Sequence, residues 1–272
     1  MQVQGFIRKM KVSPTTPIQY TLPVGEELVG MNPLIGRSLS LEWSGKIACI
    51  NCSRSIKKSF NQGYCYPCFT SLAECDMCVV KPELCHYHKG TCRQPEWGEK
   101  NCFRPHTVYL ANSSALKVGI TRGVEPSTRW IDQGARQGLP IRTVPNRLEA
   151  GRLEVALSEF VGDKTNWRKM LKGDPPPVEL AAERDRLYAE LETGHPDFDV
   201  PGEAVSDARM MELQYPVTAF PEKVVAHNFD KVSCLTGELS GIKGQYLYFG
   251  TTVMNVRKYA GYELTVSGGA DD

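Results

Sequence analysis

The chain has 272 residues, a formal net charge of +1, 41% hydrophobic residues and 23% charged residues. This composition is typical of a globular protein and excludes a strong overall field that would attract nucleic acid or an anionic membrane. No stretch of about 18 consecutive apolar residues occurs, so we expect no membrane span. The N-terminal stretch lacks the apolar segment of a secretory signal, and we therefore expect a cytoplasmic protein.

The N-terminal region is patterned for β-structure. Residues 1–46 alternate apolar and polar side chains over short runs, for example at 18–22 and 39–43, and Gly and Pro separate these runs. Alternation with a period of two is typical of strands. Residues 1–46 are therefore predicted to form an N-terminal β segment.

The next region, residues 47–106, is rich in cysteine. Nine of the ten cysteines in the chain lie between Cys49 and Cys102. Thiols stay reduced in the cytoplasm, so this density indicates metal binding and not disulfides. Few aliphatic residues are present, and such a segment needs a metal to stabilise it. Residues 47–106 are therefore predicted to be a zinc-binding module.

Two CxxC pairs define the first metal site. Cys49 and Cys52 form one pair, and Cys65 and Cys68 form the other after twelve intervening residues. Each CxxC turn directs two thiolates at one ion, and two turns complete a tetrahedral shell. The spacing predicts a structural zinc ion, and an iron–sulfur cluster is the alternative for four thiolates.

A second set of donors follows. Cys75 and Cys78 form another CxxC pair. We expect this pair and two later cysteines to hold a second metal ion, while donors left over are buried without metal. The further candidates in this stretch are Cys85, His86, His88, Cys92, Cys102 and His106.

Residues 107–172 alternate strands and helices. The pattern predicts, in order, strands at 107–110 and 116–121, a helix at 126–138, a strand at 141–144 and a helix at 147–161. A linker with a charged helix at 178–192 is predicted over 173–206, and a C-terminal β segment over 207–272. The two terminal β segments could pair in one sheet, so the predicted class is α+β.

Four residues in this core follow the order of a known motif. Tyr109 ends the tripeptide Thr-Val-Tyr, and Gly119 is central to Lys-Val-Gly-Ile-Thr; Arg129 and Glu154 follow on the two predicted helices. In this order residues 106–172 resemble the GIY-YIG nuclease core. The resemblance implies a three-stranded sheet with helices, in which the arginine contacts phosphate and the glutamate binds metal. Glu149 is the alternative for the glutamate.

The resemblance implies a Mg²⁺-dependent endonuclease. Tyr109 and Lys117 would assist proton transfer or phosphate binding, Arg129 would hold the phosphate, and Glu154 would hold Mg²⁺. The sequence departs from the family at Lys117, where the second tripeptide should open with the tyrosine that accepts the proton. A non-catalytic RNA- or DNA-binding module and a zinc-based protein–protein adaptor are therefore alternatives.

A second resemblance spans nearly the whole chain. The stretches that carry it are 65–68, 117–122, 129–135, 164–168 and 241–246. Through them the chain resembles an uncharacterised bacterial family, domain of unknown function 2797. This resemblance implies a bacterial cytoplasmic protein and no particular activity.

Basic and aromatic side chains near the core predict a nucleic-acid surface. Lys and Arg neutralise phosphates, and Trp stacks on unpaired bases, although most exposed cations only solvate a surface. We expect DNA or RNA as the partner, with no membrane, no organic cofactor and no prediction of oligomeric state. The predicted contacts are Arg122, Arg136, Lys164, Trp167 and Arg168.

Overall fold

The computed structural model describes residues 1–123, 127–161 and 166–268. The strands in chain order are β1 (Gln2–Phe6), β2 (Lys11–Ser13), β3 (Gln19–Val24), β4 (Glu27–Gly30), β5 (Ser38–Ile47), β6 (His106–Asn112), β7 (Leu116–Arg122), β8 (Gln137–Val144), β9 (Glu203–Ala204), β10 (Met211–Glu212), β11 (Val225–Ala226), β12 (Cys234–Glu238), β13 (Gly241–Lys243), β14 (Tyr246–Phe249), β15 (Thr252–Asn255) and β16 (Tyr262–Gly268).

The helices are mostly short. The α-helices are α1 (Tyr66–Ser71), α2 (Met77–Val80), α3 (Pro95–Asn101), α4 (Ser127–Asp132), α5 (Arg147–Ser158), α6 (Trp167–Leu171) and α7 (Leu180–Gly194). Single 3-10 turns cover Asn32–Leu34, Ala73–Cys75, Pro82–Leu84, Tyr87–Lys89 and Val256–Tyr259. Among the described residues no helix has both the length and the apolarity to span a membrane. The cytoplasmic location stays a prediction.

The chain divides into two compact units. The first contains Met1–Thr70, Leu171–Gly173 and Leu213–Asp272, and the second contains Ser71–Met170 and Asp174–Glu212. The predicted α+β class is confirmed, because helices accompany several separate sheets. The division between the units passes through the cysteine-rich segment, so its first two CxxC pairs and its later cysteines belong to different units.

The first unit is built on three sheets. One four-stranded sheet has the order β1-β16-β5-β12, another has the order β11-β15-β14-β13, and β2-β3-β4 form the third. Strand β16 pairs antiparallel with both β1 and β5, so that Val266 faces Val3 on one side and Leu41 on the other. The predicted pairing of the two terminal β segments is thereby confirmed.

The second unit contains the sheet that carries the motif residues. Strand β6 is central, with β7 on one side and β8 on the other, and β10 and β9 extend the sheet beyond β8. Every residue of β6 is buried. The apolar face of α5, with Ala150, Leu153 and Leu157, packs in one core with Val108 and Leu110 of β6.

The predicted helices of this unit differ in accuracy. Those over 147–161 and 178–192 are observed as α5 and α7, with ends shifted by a few residues. The helix predicted over 126–138 is wrong beyond Asp132. Gly134 adopts a φ of +66°, which ends the helix, and Gln137 opens β8. Pairing of β8 with β6 outweighs the local helical pattern.

Candidate functional site

The first cysteine cluster brings together the two predicted CxxC pairs. The Sγ atoms of Cys49, Cys52, Cys65 and Cys68 all lie within 4.8 Å of one another. The Sγ atoms of Cys52 and Cys65 are 3.8 Å apart. Zn–S bonds of about 2.3 Å in a tetrahedron place sulfurs roughly 3.8 Å apart. The geometry is therefore compatible with zinc.

Hydrogen bonds prepare these sulfurs to be thiolates. The backbone N–H of Cys65 donates to Cys49 Sγ at 3.2 Å, the N–H of Cys68 donates to Cys65 Sγ at 3.5 Å, and Asn51 Nδ2 donates to Cys68 Sγ at 3.3 Å. Burial opposes ionisation of Cys49, but backbone hydrogen bonds prevail and lower its pKa to about 6. A first thiolate thus forms readily.

The fourth thiol responds in the opposite way. The hydrogen bond from Asn51 lowers the pKa of Cys68, but burial and the three other sulfurs outweigh it and raise this pKa to about 12. Four thiolates cannot share this space without a cation. A metal bound here would therefore displace thiol protons, as zinc does at structural sites.

The second cysteine cluster lies in the second unit and surrounds a cavity of about 20 Å³. Cys78, Cys85, Cys92 and Cys102 line this cavity, whereas Cys75 is not part of its lining. The four sulfurs come from α2, from the end of the 3-10 turn Pro82–Leu84, from the loop before α3 and from the end of α3. The structure thus brings together four of the five cysteines predicted for the second site.

The histidines near this cluster have other partners. His86 Nε2 lies 3.4 Å from Asp76 Oδ2, and this same oxygen accepts from Arg93 Nε at 2.7 Å. His88 is exposed. His106 is fully buried, its Nδ1 is 2.7 Å from the Arg104 carbonyl, and burial lowers its pKa to about 4. His88 and His106 are not part of the cavity lining, whereas His86 lines the cavity and groups with Asp76 and Cys78, whose ligand atoms all lie within 4.8 Å of one another.

The third candidate site is a polar cluster on the sheet of the second unit. Tyr109 pairs with Gly119 across β6 and β7, and Ala111 pairs with Lys117. Side chains alternate along a strand, so Tyr109 and Lys117 project from the same face. A Cβ on Gly119 would lie only 2.7 Å from Tyr109 Oη. The glycine therefore makes room for the tyrosine to lie across β7.

Helix α4 supports this tyrosine. Trp130 packs edge-on against the Tyr109 ring with centroids 5.8 Å apart, and the Tyr109 hydroxyl donates to Gln133 Oε1 at 3.2 Å. A Cβ on Gly138 would lie 2.3 Å from the indole of Trp130, so β8 passes closely beneath it. This packing fixes the helix that presents the exposed Arg129.

Charges in this cluster act on one another. Burial raises the pKa of Glu154 to about 7, against the positive charge of Arg129. Burial lowers the pKa of Lys117 to about 8, and repulsion from Arg129 adds to this effect while Glu154 opposes it. Burial also raises the pKa of Tyr109 to about 12. Tyr109 thus remains protonated, whereas Glu154 and Lys117 both titrate near neutral pH.

Glu149, the alternative to Glu154, is engaged elsewhere. It lies in the first turn of α5, where its backbone N–H is capped by Asn146 Oδ1 at 3.0 Å. Its carboxylate pairs with Arg152 Nη1 at 2.9 Å. Glu154, and not Glu149, is the carboxylate that interacts electrostatically with Arg129 and Lys117.

Sequence reasoning missed a second carboxylate. Glu83 lies in the 3-10 turn Pro82–Leu84, and its negative charge contributes to the raised pKa of Glu154. This turn packs tightly on α5, since a Cβ on Gly151 would meet Pro82 Cβ at 2.6 Å. No sequence motif includes Glu83, because only the packing of distant parts of the chain brings it near Glu154.

The residues predicted to contact nucleic acid differ in the partners of their side chains. Arg136 Nη1 donates to the Pro175 carbonyl at 2.8 Å, which is a structural use of this cation. Arg122 lies over the Trp97 ring at 5.8 Å, and Arg168 lies over the Trp167 ring at 4.3 Å. Arg122 and Arg168 are exposed. Lys164 falls outside the described residues.

Comparison with known proteins adds one finding. The family model "Protein of unknown function (DUF2797)" matches residues 36–264, which include both cysteine clusters and the polar cluster. No curated protein and no solved structure gives a significant match.

Proposed function

The chain belongs to the family of proteins of unknown function DUF2797, and we propose that its second unit hydrolyses phosphodiester bonds of nucleic acid with the help of a divalent cation. The observation that carries this proposal is the convergence of Lys117, Arg129 and Glu154. Two of these groups have pKa values displaced towards neutrality by burial and by one another's charge. Such displaced values are characteristic of catalytic sites.

The order of elements supports the nuclease resemblance. The hairpin β6–β7, helix α4, strand β8 and helix α5 follow one another, and the first strand of the hairpin is central in the sheet. Tyr109 and Gly119 are directly opposed, Arg129 is on the first helix, and Glu154 is on the second. This order of elements and residues supports the proposal of a GIY-YIG-like core.

Lys117 would serve as the general base. An amine with a pKa of about 8 has a substantial neutral fraction at pH 7 to 8, and buried lysines act as bases for this reason. The neutral amine would take a proton from the attacking water as the new P–O bond forms and the bond to the leaving oxygen breaks. Lysine would thereby replace the tyrosine expected at this position.

The remaining residues would bind and orient. Arg129 is exposed, and its guanidinium can donate two hydrogen bonds to a phosphate. Glu154, with Glu83 nearby, supplies the oxygen ligands that Mg²⁺ prefers, and the bound cation would polarise the phosphate oxygens. Tyr109 is fully buried and stays protonated, so it acts as a positioning residue.

The first cysteine cluster would hold structural zinc. All four ligands come from the protein, which leaves no open position for a substrate or water. Zinc would rigidify the segment between β5 and α1, where aliphatic residues are scarce. Its role would be stability of the first unit, separate from hydrolysis.

Purified full-length protein incubated with labelled single- and double-stranded DNA and RNA, with Mg²⁺ or Mn²⁺, tests the proposal. We expect the wild type to cleave at least one substrate. Glu154→Gln and Lys117→Met should abolish this cleavage, whereas Glu149→Gln, a change on the same helix as Glu154, should retain it. Absence of cleavage on every substrate would contradict hydrolysis. Salt-dependent binding without cleavage would instead favour the non-catalytic module.

A further inference from the structure

Three different kinds of metal ligand meet beside the small cavity of the second unit. One ligand atom each from Asp76, Cys78 and His86 lies within 4.8 Å of the other two. Asp76 immediately precedes α2, Cys78 is the second residue of this helix, and His86 precedes the 3-10 turn Tyr87–Lys89. All three line the cavity of about 20 Å³. A carboxylate, a thiolate and an imidazole are all ligands that Zn²⁺ takes in proteins.

The separation of the imidazole and the carboxylate fits one shared ion. His86 Nε2 lies 3.4 Å from Asp76 Oδ2, which is longer than an ordinary N–H···O hydrogen bond of about 2.7–3.2 Å. Zn–N and Zn–O bonds of about 2.1 Å that meet at a tetrahedral angle place the two ligand atoms roughly 3.4 Å apart. The two side chains are therefore at the separation that a zinc ion between them requires.

A threonine selects the nitrogen of His86 that faces Asp76. Thr91 Oγ1 donates to the His86 carbonyl at 3.2 Å and lies 2.8 Å from His86 Nδ1. Because its proton is committed to the carbonyl, the hydroxyl accepts from Nδ1–H. In the neutral imidazole Nε2 then carries the lone pair. This lone pair faces a carboxylate oxygen, and the two repel each other unless a cation lies between them.

The carboxylate of Asp76 is held by an arginine and not by the helix. Asp76 occupies the N-cap position of α2, where aspartate usually accepts a hydrogen bond from the first turn, but its side chain makes no such bond. Oδ2 instead accepts from Arg93 Nε at 2.7 Å, and Arg93 Nη1 donates to the Leu72 carbonyl at 3.3 Å. Because Arg93 already balances the charge of Asp76, the carboxylate does not need a protonated His86. Hydrogen bonds from outside the shell orient metal ligands in this way.

The set offers three protein ligands and leaves one position of a tetrahedron. Among the described residues, no fourth Cys, His, Asp or Glu joins it within the same distance. Cys85, Cys92 and Cys102 line the cavity but are not members of the set. The cavity of about 20 Å³ exceeds the roughly 10–15 Å³ that one water needs, so a water can complete the shell.

We propose that Asp76, Cys78 and His86 bind a second zinc ion, whose fourth ligand is a water in the cavity. Of the donors expected from the sequence, this set keeps Cys78 and His86, excludes Cys75 and adds Asp76. The open position distinguishes this ion from the closed zinc site of the first cysteine cluster. The assignment is independent of the proposed hydrolysis, because none of the three ligands belongs to the polar cluster.

The zinc content of the purified full-length protein tests the proposal. The wild type should hold two zinc ions per chain. Asp76→Asn, Cys78→Ser and His86→Gln should each hold one, whereas His88→Gln, a change at an exposed neighbour, should hold two. A wild type that holds one zinc ion after incubation with excess Zn²⁺, or two ions in both Asp76→Asn and His86→Gln, would overturn it.

X-ray absorption at the zinc edge tests the ligand types without any substitution. Four sulfurs at the first site and one at the second give an average between two and three sulfurs per zinc, with nitrogen and oxygen as the other ligands. Four sulfurs per zinc in a protein that holds two ions would show that the neighbouring cysteines complete an all-thiolate site. That result would overturn the mixed ligand set.

Thr91→Val tests the orientation of His86. Loss of a hydrogen bond to a metal-binding histidine weakens metal binding by about 10–100-fold, and competition with a chromophoric chelator measures this affinity. Thr193→Val, which removes an exposed hydroxyl bonded to the Ala189 carbonyl on α7, is the matched control and should bind both ions as the wild type does. Unchanged affinity in Thr91→Val would contradict coordination through His86 Nε2.

Discussion

The first cysteine cluster and the polar cluster of the second unit use buried polar groups in opposite ways. In the first, sulfurs face one another and receive backbone N–H donors, so one cation satisfies them all. In the second, Lys117 and Glu154 are displaced from their ordinary pKa values and remain near a protonation change at neutral pH. Under the functions proposed above, the cysteines would contribute stability through a bound metal, whereas burial of Lys117 and Glu154 would lower stability and favour reactivity.

Removal of zinc should have the largest effect, because a closed structural site is coupled to folding. Cys49→Ser should abolish zinc binding and lower the thermal unfolding temperature of the first unit strongly. Cys234→Ser, a change at an exposed cysteine outside both clusters, is the control and should alter neither quantity. Equal unfolding temperatures for Cys49→Ser and the wild type would show that the first cysteine cluster does not stabilise the first unit.

Glu154→Gln should remove the loss of folding stability that ionisation of the buried Glu154 causes as the pH rises. The folded carboxyl keeps its proton up to about pH 7, whereas the ordinary value is 4.5. Its stabilising contribution is therefore fully present below pH 4.5 and is lost as the pH rises to 7. The loss amounts to about 3 kcal/mol for the wild type. The Glu154→Gln variant should not lose this stability as the pH rises, because its side chain does not ionise.

Urea unfolding between pH 4.5 and 8 in magnesium-free buffer measures this difference. The free energy of unfolding of the wild type should fall relative to that of Glu154→Gln across this range. Glu149→Gln serves as the control, because its half-buried carboxylate is paired with Arg152 on α5. Parallel pH profiles for wild type and Glu154→Gln would show that burial of Glu154 carries no cost.

Gly119→Ala tests the packing that positions Tyr109. The added Cβ would lie 2.7 Å from both Oη and the ring atom Cζ of the tyrosine. Overpacking of this kind costs about 1–3 kcal/mol, and it should also displace the ring from Trp130. Gly30→Ala, on β4 with nothing within 4 Å of the new Cβ, is the matched control. Chemical denaturation should show a loss only for Gly119→Ala.

Arg129→Ala should have the smallest effect on stability and a specific effect on binding. The side chain is exposed, so the fold should persist. Loss of a charge-assisted contact to phosphate should weaken binding of a labelled oligonucleotide by about tenfold. Arg184→Ala, which removes a cation paired with Asp185 on α7, should leave the affinity unchanged. Equal affinities for both variants would remove Arg129 from the binding site.

Much of this arrangement could be predicted because its signals are local. The two CxxC pairs specify their own turns, and the hairpin of β6 and β7 follows from two short apolar runs. The order of the motif predicts Tyr109, Lys117, Arg129 and Glu154, and these side chains act on one another's pKa values in the structure.

Other features depend on packing between distant segments and left no local signal. The charge of Glu83 acts on Glu154 because Pro82 packs against Gly151 of α5. The second cysteine cluster excludes the expected Cys75 from its cavity because tertiary contacts, and not the CxxC spacing, select the four sulfurs. Helix α4 ends early because β8 pairs with β6 from Gln137 onwards.

The pH dependence of phosphodiester cleavage tests the central claim most directly. With Mg²⁺ present, kcat/KM of the wild type should rise with pH and level off above about pH 8, where Lys117 becomes neutral. Lys117→Met should be nearly inactive at every pH, and Glu149→Gln should follow the wild type. Cleavage by Lys117→Met at the wild-type rate and with the same pH profile would contradict the account.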